Sequence, residues 1–341
     1  MACKLCNNPV ADQENSHIIP FSLIKTMVTP GEKGRTEKDV SFDLSLTGTT
    51  CYFFGRDLRE DEIYELLGRD LTEEEIAQNS NPFTVDNLLC TSCEKKFGRL
   101  ESLYSKLLAK KISENQNDFI ELDHTNSLLL KVFIYSIIWR LGVSNYNGYS
   151  IHESILSRLS VILQQCLSLD ESEIISKVKE NKVLIQDHKV SISYFNNIDH
   201  PKTRFVFFDL GRKNPNYYFF NGLIVVFYYK KGTLLKKGNS FFGLEKLFDR
   251  KTIYKTENTI LFASNENIVL KGVNEMASII AKADILKFKK DFEEIFFRIK
   301  NKVPNIKIVR DYLTELLSDD YEYIDKYSVT RIVSLIKKHC I

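Results

Sequence analysis

The sequence predicts an α+β fold: an N-terminal segment stapled by cysteines and carrying an insertion, then a helical core, a mostly antiparallel sheet and C-terminal helices. Three observations predict it. Two CxxC pairs, Cys3/Cys6 and Cys90/Cys93, bracket the first part of the chain. After Lys182 come β-branched and aromatic runs split by Asn, Asp, Gly and Pro, the composition of strands and their turns. Before and after that region, apolar residues recur every three or four positions, the helical period.

In chain order, residues 26–86 form the insertion between the two cysteine pairs. Within it, REDEIYELLGRDLTEEEIAQ spaces Ile63, Leu66, Leu67, Leu71 and Ile76 for a helical hairpin, either a solvated one or a lid or partner-docking element, with Thr72 capping the acidic turn Glu73, Glu74 and Glu75. EKKFGRLESLYSKLLAKKI predicts a helix with Phe97, Leu100, Leu103, Leu107 and Leu108 on its apolar face. Lys95, Lys96, Arg99 and Lys106 lie on the polar face. Ser127 to Leu141 is nearly all apolar and ends in Trp139 and Arg140, so it belongs in the middle of the core. His152 to Leu167 is a third helix. The segments VLIQ, KVSISYF, RFVFFDL, YYFFNGLIVVFYY and TIYKTENTILFA read as strands. Val273 to Lys300, Ile306 to Leu317 and Tyr327 to Lys338 read as helices, and Pro304 breaks the first from the second. Two domains follow: residues 1–123 with the insertion, and residues 124–341 as a recognition or assembly region.

With 341 residues, 43% hydrophobic and 12% aromatic, the chain can bury a large core, which excludes a disordered protein. Its 47 basic and 45 acidic residues exclude a uniformly basic, histone-like binder, so any nucleic-acid contact is local. The apolar strings around Ile134 and Val225 are short for a membrane and are interrupted or flanked by Lys131, Asn221 and Lys230. No membrane partner is expected. The start MACKLCNNPV lacks the basic and apolar stretches of a secretory signal, so a cytoplasmic protein is expected. In that reducing setting, paired cysteines favour metal over disulfides.

Two CxxC pairs supply four thiolates to one tetrahedral zinc, because each tight turn presents both sulfurs from one side. Such a zinc has no open position and acts as a structural staple. Cys51, Cys166 and Cys340 are read as ordinary small apolar residues or a terminal thiol.

The string CKLCNNPVADQENSHIIPFSLIK, followed by DNLLCTSCEKKFGRLESLY, resembles bacterial HNH-type (ββα-metal) endonucleases. These have a first zinc knuckle, a His-Ile-Ile-Pro strand and a second knuckle that opens a helix. The likeness covers about the first third of the chain, with a weaker echo in SIIWRLGVS. It implies that His17 is the general base, taking a proton from water, and that Mg2+ or Mn2+ stabilises the phosphate and the departing oxygen. The commoner pattern has an acidic residue or histidine before the base, and asparagine or histidine after the second knuckle. Here those positions are Ser16 and Glu94. Serine is a poor ligand for a hard cation and Glu94 a good one. Glu101, two helical turns on, either reinforces Glu94 or pairs with a nearby lysine. Asn87 matches the asparagine that steadies the histidine loop, although an Asp86-Asn87 turn explains it equally. Asp12 and Glu14 could stand in as acidic ligands or simply form a hairpin turn. The other histidines carry no partnered motif and are read as structural.

The remaining two thirds contain no phosphate loop, no nucleophile elbow and no nucleotide fingerprint. Lys230, Lys231, Lys236 and Lys237, interleaved with tyrosines, could hold a nucleic-acid backbone or merely solubilise strand ends. Two function classes result. One is a metal-dependent endonuclease acting on nucleic acid, DNA ahead of RNA, as a bacterial defence effector or toxin. The other is a non-catalytic zinc module that binds nucleic acid or a partner protein. A homo-oligomer is compatible with both.

Overall fold

A computed structural model of the chain describes residues 2–7, 10–28, 40–43, 51–54, 58–78, 83–113, 117, 119–194, 206–208, 214–220, 222–228, 253–254, 259–263, 266–318 and 329–340. Within these the fold is mixed helix and sheet. The first elements are β1 (Ser16–His17), α1 (Phe21–Val28), β2 (Val40–Asp43), β3 (Cys51–Phe54), α2 (Glu60–Leu67), α3 (Glu73–Gln78) and β4 (Thr84–Val85). Then come α4 (Thr91–Tyr104), α5 (Lys110–Ser113), β5 (Phe119–Leu122), α6 (His124–Ser144), α7 (Glu153–Cys166), α8 (Glu171–Glu180) and α9 (Lys182–Ile185). The sheet strands β6 (Lys189–Tyr194), β7 (Val206–Phe208), β8 (Asn216–Phe220), β9 (Leu223–Tyr228), β10 (Ile253–Tyr254) and β11 (Thr259–Ala263) lead to α10 (Glu266–Lys300), α11 (Ile306–Leu317) and α12 (Val329–Cys340).

The chain divides into two compact units. Residues 1–27 join 82–273, and residues 28–81 group with 274–341. The expected boundary at 123/124 does not coincide with this division, for two reasons. Strand β5 pairs antiparallel with β11, Ile120 opposite Leu261, which ties the end of the N-terminal segment into the downstream sheet. Helix α6 also packs directly on α4, with Phe97 stacked on Trp139 at 5.8 Å and Tyr104 on Phe133 at 3.8 Å. One continuous core therefore runs from Cys3 and Leu5 through α6 to Val225 and Phe227.

Helix α6 is the axis of that core. Asp123 caps it by accepting from the Asn126 amide at 2.8 Å, and Asn145 ends it in the left-handed conformation at φ 49°. It spans 21 residues, longer than its apolar string suggests, and its length and hydropathy would suit a membrane span. Yet 83% of its most apolar window is buried inside the protein, as expected of a core helix.

The sheet runs β10-β11-β6-β9-β8-β7, with β5 on β11. It is antiparallel throughout except for β11 beside β6. Alternation along β6, β8 and β9 turns Val190, Tyr218 and Phe227 toward the core. Two sequence readings change. Val183, Leu184 and Ile185 of VLIQ lie in helix α9, with Gln186 at its C-terminal cap, rather than in a strand, because so short an apolar run carries no decisive period. Leu107 is 40% exposed, because the π-helical turn Ser105–Ala109 rotates the apolar stripe so that Leu108 points inward.

In the second unit, Phe292, Phe296, Val309, Tyr312, Leu316, Ile336 and Cys340 form a separate core between α10, α11 and α12. Phe292 stacks on Tyr312 at 4.2 Å. The insertion contributes helices α2 and α3 in the stretch read as a helical hairpin, and in addition the β2/β3 hairpin, which the sequence reading did not include. Lys230, Lys231, Lys236 and Lys237 lie outside the described residues.

Candidate metal centre

The two CxxC pairs are built differently. Cys3 to Cys6 forms a tight loop closed by the Asn7 amide donating to the Cys3 carbonyl at 2.9 Å, with Asn7 at φ 58°. Asparagine tolerates that left-handed conformation better than most residues. Cys90 and Cys93 occupy the start of α4, where a three-residue offset puts both thiols on one helix face. Backbone bonds hold the two halves in register, with Lys4 N–H donating to Leu88 O and Gln13 N–H to Leu89 O, each at 3.1 Å. The Asp12 carboxylate completes the start of α4, accepting from the Thr91 amide at 2.9 Å and from its hydroxyl at 3.2 Å. The Thr91 amide accordingly lowers the Asp12 pKa. Asp12, considered as an acidic ligand, is a helix cap.

The result is a cluster whose four sulfurs all lie within 4.8 Å of one another, close enough to hold a metal ion. Cys6 Sγ and Cys90 Sγ are 3.8 Å apart, well beyond disulfide length. Burial pushes the Cys3 thiol up, but amides of Cys6, Cys90 and Leu5 outweigh it and bring the pKa down to about 7. Burial and the neighbouring thiols push Cys93 strongly upward. Four thiolates cannot share so small a volume without a cation to offset their repulsion. Among the described residues this is the group in which three or more Cys, His, Asp or Glu ligand atoms gather.

His17 lies on β1, paired with Thr84 of β4, and its Ile18 neighbour donates to Phe83 O at 2.8 Å. The half-buried ring meets Phe21 edge-on at 6.0 Å. Glu94 sits in the first turn of α4. Burial raises its pKa, the Arg140 charge and the Ser16 hydroxyl draw it down, and Glu101 pushes it up. Ser16 Oγ and Glu94 Oε2 are both buried, and neither makes a well-formed hydrogen bond.

Glu101, expected as a second ligand or a partner for lysine, pairs with Arg140 at 2.9 Å. The same Nη1 of Arg140 donates to the His17 carbonyl at 2.6 Å. Asn87 holds a left-handed turn at φ 57°, and its backbone N–H donates to Gln13 O at 2.8 Å. Asp86 beside it accepts from the Asn15 amide at 2.7 Å, two residues before His17. Arg140 and Asp86 are thus the supports that sequence reasoning missed. The DN pair signalled a turn, whereas nothing in the spacing pointed to Arg140.

No protein-family model, curated protein or solved structure matches the chain.

Proposed function

We propose that the chain is an HNH-like, metal-dependent endonuclease whose ββα module is stapled by a structural zinc. The observation that carries the reading is the order β1, β4, α4, with His17 on the first strand and the second cysteine pair opening the helix. A tetrahedral zinc with Zn–S bonds of about 2.3 Å separates its sulfurs by about 3.8 Å. The Cys6 to Cys90 distance is 3.8 Å. Four thiolates leave that ion no open position, so chemistry belongs to the residues beside it.

Glu94 Oε2 is a buried carboxylate oxygen without a hydrogen-bond partner, the donor type a hard divalent cation takes. Glu94 would hold Mg2+ or Mn2+, which when bound supplies charge stabilisation at the phosphate and at the departing oxygen. His17 accepts the proton of the attacking water, the role of a general base that an imidazole can fill. Arg140 holds the His17 main chain, and Asp86 holds the segment before it. DNA is the substrate expected ahead of RNA, and a defence role rests on the family resemblance.

A second reading, a non-catalytic zinc module that binds nucleic acid or a partner protein, is favoured by one observation: Arg140 already occupies Glu101. Cleavage of plasmid DNA and of RNA across a Mg2+ and Mn2+ titration separates the two. The nuclease reading expects divalent-dependent nicking that Glu94→Gln strongly weakens. Binding without nicking at any divalent concentration leaves the second reading in place.

A further inference from the structure

Strand β1 is two residues long and its ladder with β4 contains two residue pairs, too little to fix a side chain by itself. A second anchor reaches it from across the core. Arg140 is 1% exposed, and its Nη1 donates to the His17 carbonyl although 123 residues separate them. The guanidinium is in turn fixed on every side. Its Nε donates to Ser136 O at 3.2 Å, Nη2 to Ser136 Oγ at 3.4 Å, Nη1 pairs with Glu101, and its plane lies 4.9 Å from the Phe97 ring centroid. A buried planar cation with several fixed partners has almost no freedom, so the carbonyl it holds has little either.

From this we infer that Arg140 is a positioning residue of His17: the bond from the core helix, added to the short ladder, fixes the main chain that carries the imidazole. The kinetic consequence rests on the nuclease reading, whereas the structural one does not. Lysine can donate to one of the two oxygens but lacks the fork that serves the rest of the network. A displacement of about 1 Å at a reacting group can cost about 100-fold in rate.

The test compares wild type with Arg140→Lys, confirmed to hold zinc, by amide hydrogen exchange and by cleavage kinetics. The expected result is at least tenfold faster exchange confined to residues 15–19 and 83–87, with the knuckle and the sheet unchanged. The Ile18 amide, which donates to Phe83 O, is the most direct reporter. In cleavage, kcat falls about 100-fold for Arg140→Lys while KM stays within twofold. Unchanged exchange at Ile18 in Arg140→Lys overturns the inference. So does a uniform rise across the unit or loss of folding, which would mark Arg140 as a general stabiliser. If wild type does not cleave, the nuclease reading fails and the exchange pattern still decides the positioning role.

Discussion

The Cys6 sulfur stands 3.8 Å from that of Cys90, across 84 residues of sequence. Everything between them, including the insertion, is a loop closed at that point, so a metal there ties the chain start to helix α4. Freshly purified protein is expected to carry one zinc per chain, read by elemental analysis. Because structural zinc contributes about 10–16 kcal/mol in small sites, Cys90→Ser or strong chelation should unfold the module. The single tryptophan, Trp139, is buried in the same core and reports the loss by fluorescence.

Cys166 is fully buried and its thiol is pushed up to about 12, chiefly by burial. A thiol so seldom ionised is a poor nucleophile. In native protein it should resist alkylation for hours, and Cys166→Ser should retain full zinc content. Rapid labelling of Cys166 before the zinc is lost would contradict this packing.

Glu101→Gln removes the charge partner of an arginine that is 1% exposed. Breaking one side of a buried pair costs about 3–5 kcal/mol, because the remaining charge is left without compensation. Denaturant unfolding followed at Trp139 should show a loss in that range. A change under about 0.5 kcal/mol, the size of a surface substitution, would mean the pair is effectively solvated.

Legibility in the sequence followed from how local each signal was. The bounds of α11, Ile306–Leu317, coincide with the apolar spacing, and Asn305 caps it by accepting from the Ile308 amide at 2.9 Å. The cysteine cluster was legible because CxxC is itself a geometric statement. Helix α8 is short, so its apolar period is weak, although Asp170 accepts from the Ser172 and Glu173 backbone amides in a recognisable cap. Strand β5 is four residues long and was invisible without its partner β11. In the sequence Arg140 shows only as part of a core helix, because its role depends on a carbonyl 123 residues away that no periodicity encodes. The grouping of residues 28–81 with 274–341 is likewise a tertiary fact.

His188 supplies a pH dependence. Burial lowers its pKa from the ordinary 6.5, with Asp187 opposing and Arg158 adding to the effect, and its Nε2 has no hydrogen-bond partner. The unfolded chain therefore takes up the proton first as pH falls. The stability is full above 6.5 and is lost as pH drops toward the folded pKa, at up to about 1.4 kcal/mol per pH unit. His188→Phe should flatten that slope between pH 7.5 and 5.5 in unfolding monitored at Trp139, measured against wild type at equal zinc content. An identical slope in both proteins would assign the acid sensitivity to other groups.

The most direct test of the nuclease account is cleavage of supercoiled plasmid DNA, with RNA in parallel, by wild type and His17→Ala under Mg2+ or Mn2+ at equal zinc content. The imidazole is not a knuckle ligand, so the variant should keep its zinc and its Trp139 fluorescence while cleavage falls by at least 100-fold, within the range for loss of a general base. A His17→Ala protein that cuts at the wild-type rate, or a zinc-loaded wild type that cuts neither substrate, would contradict the account.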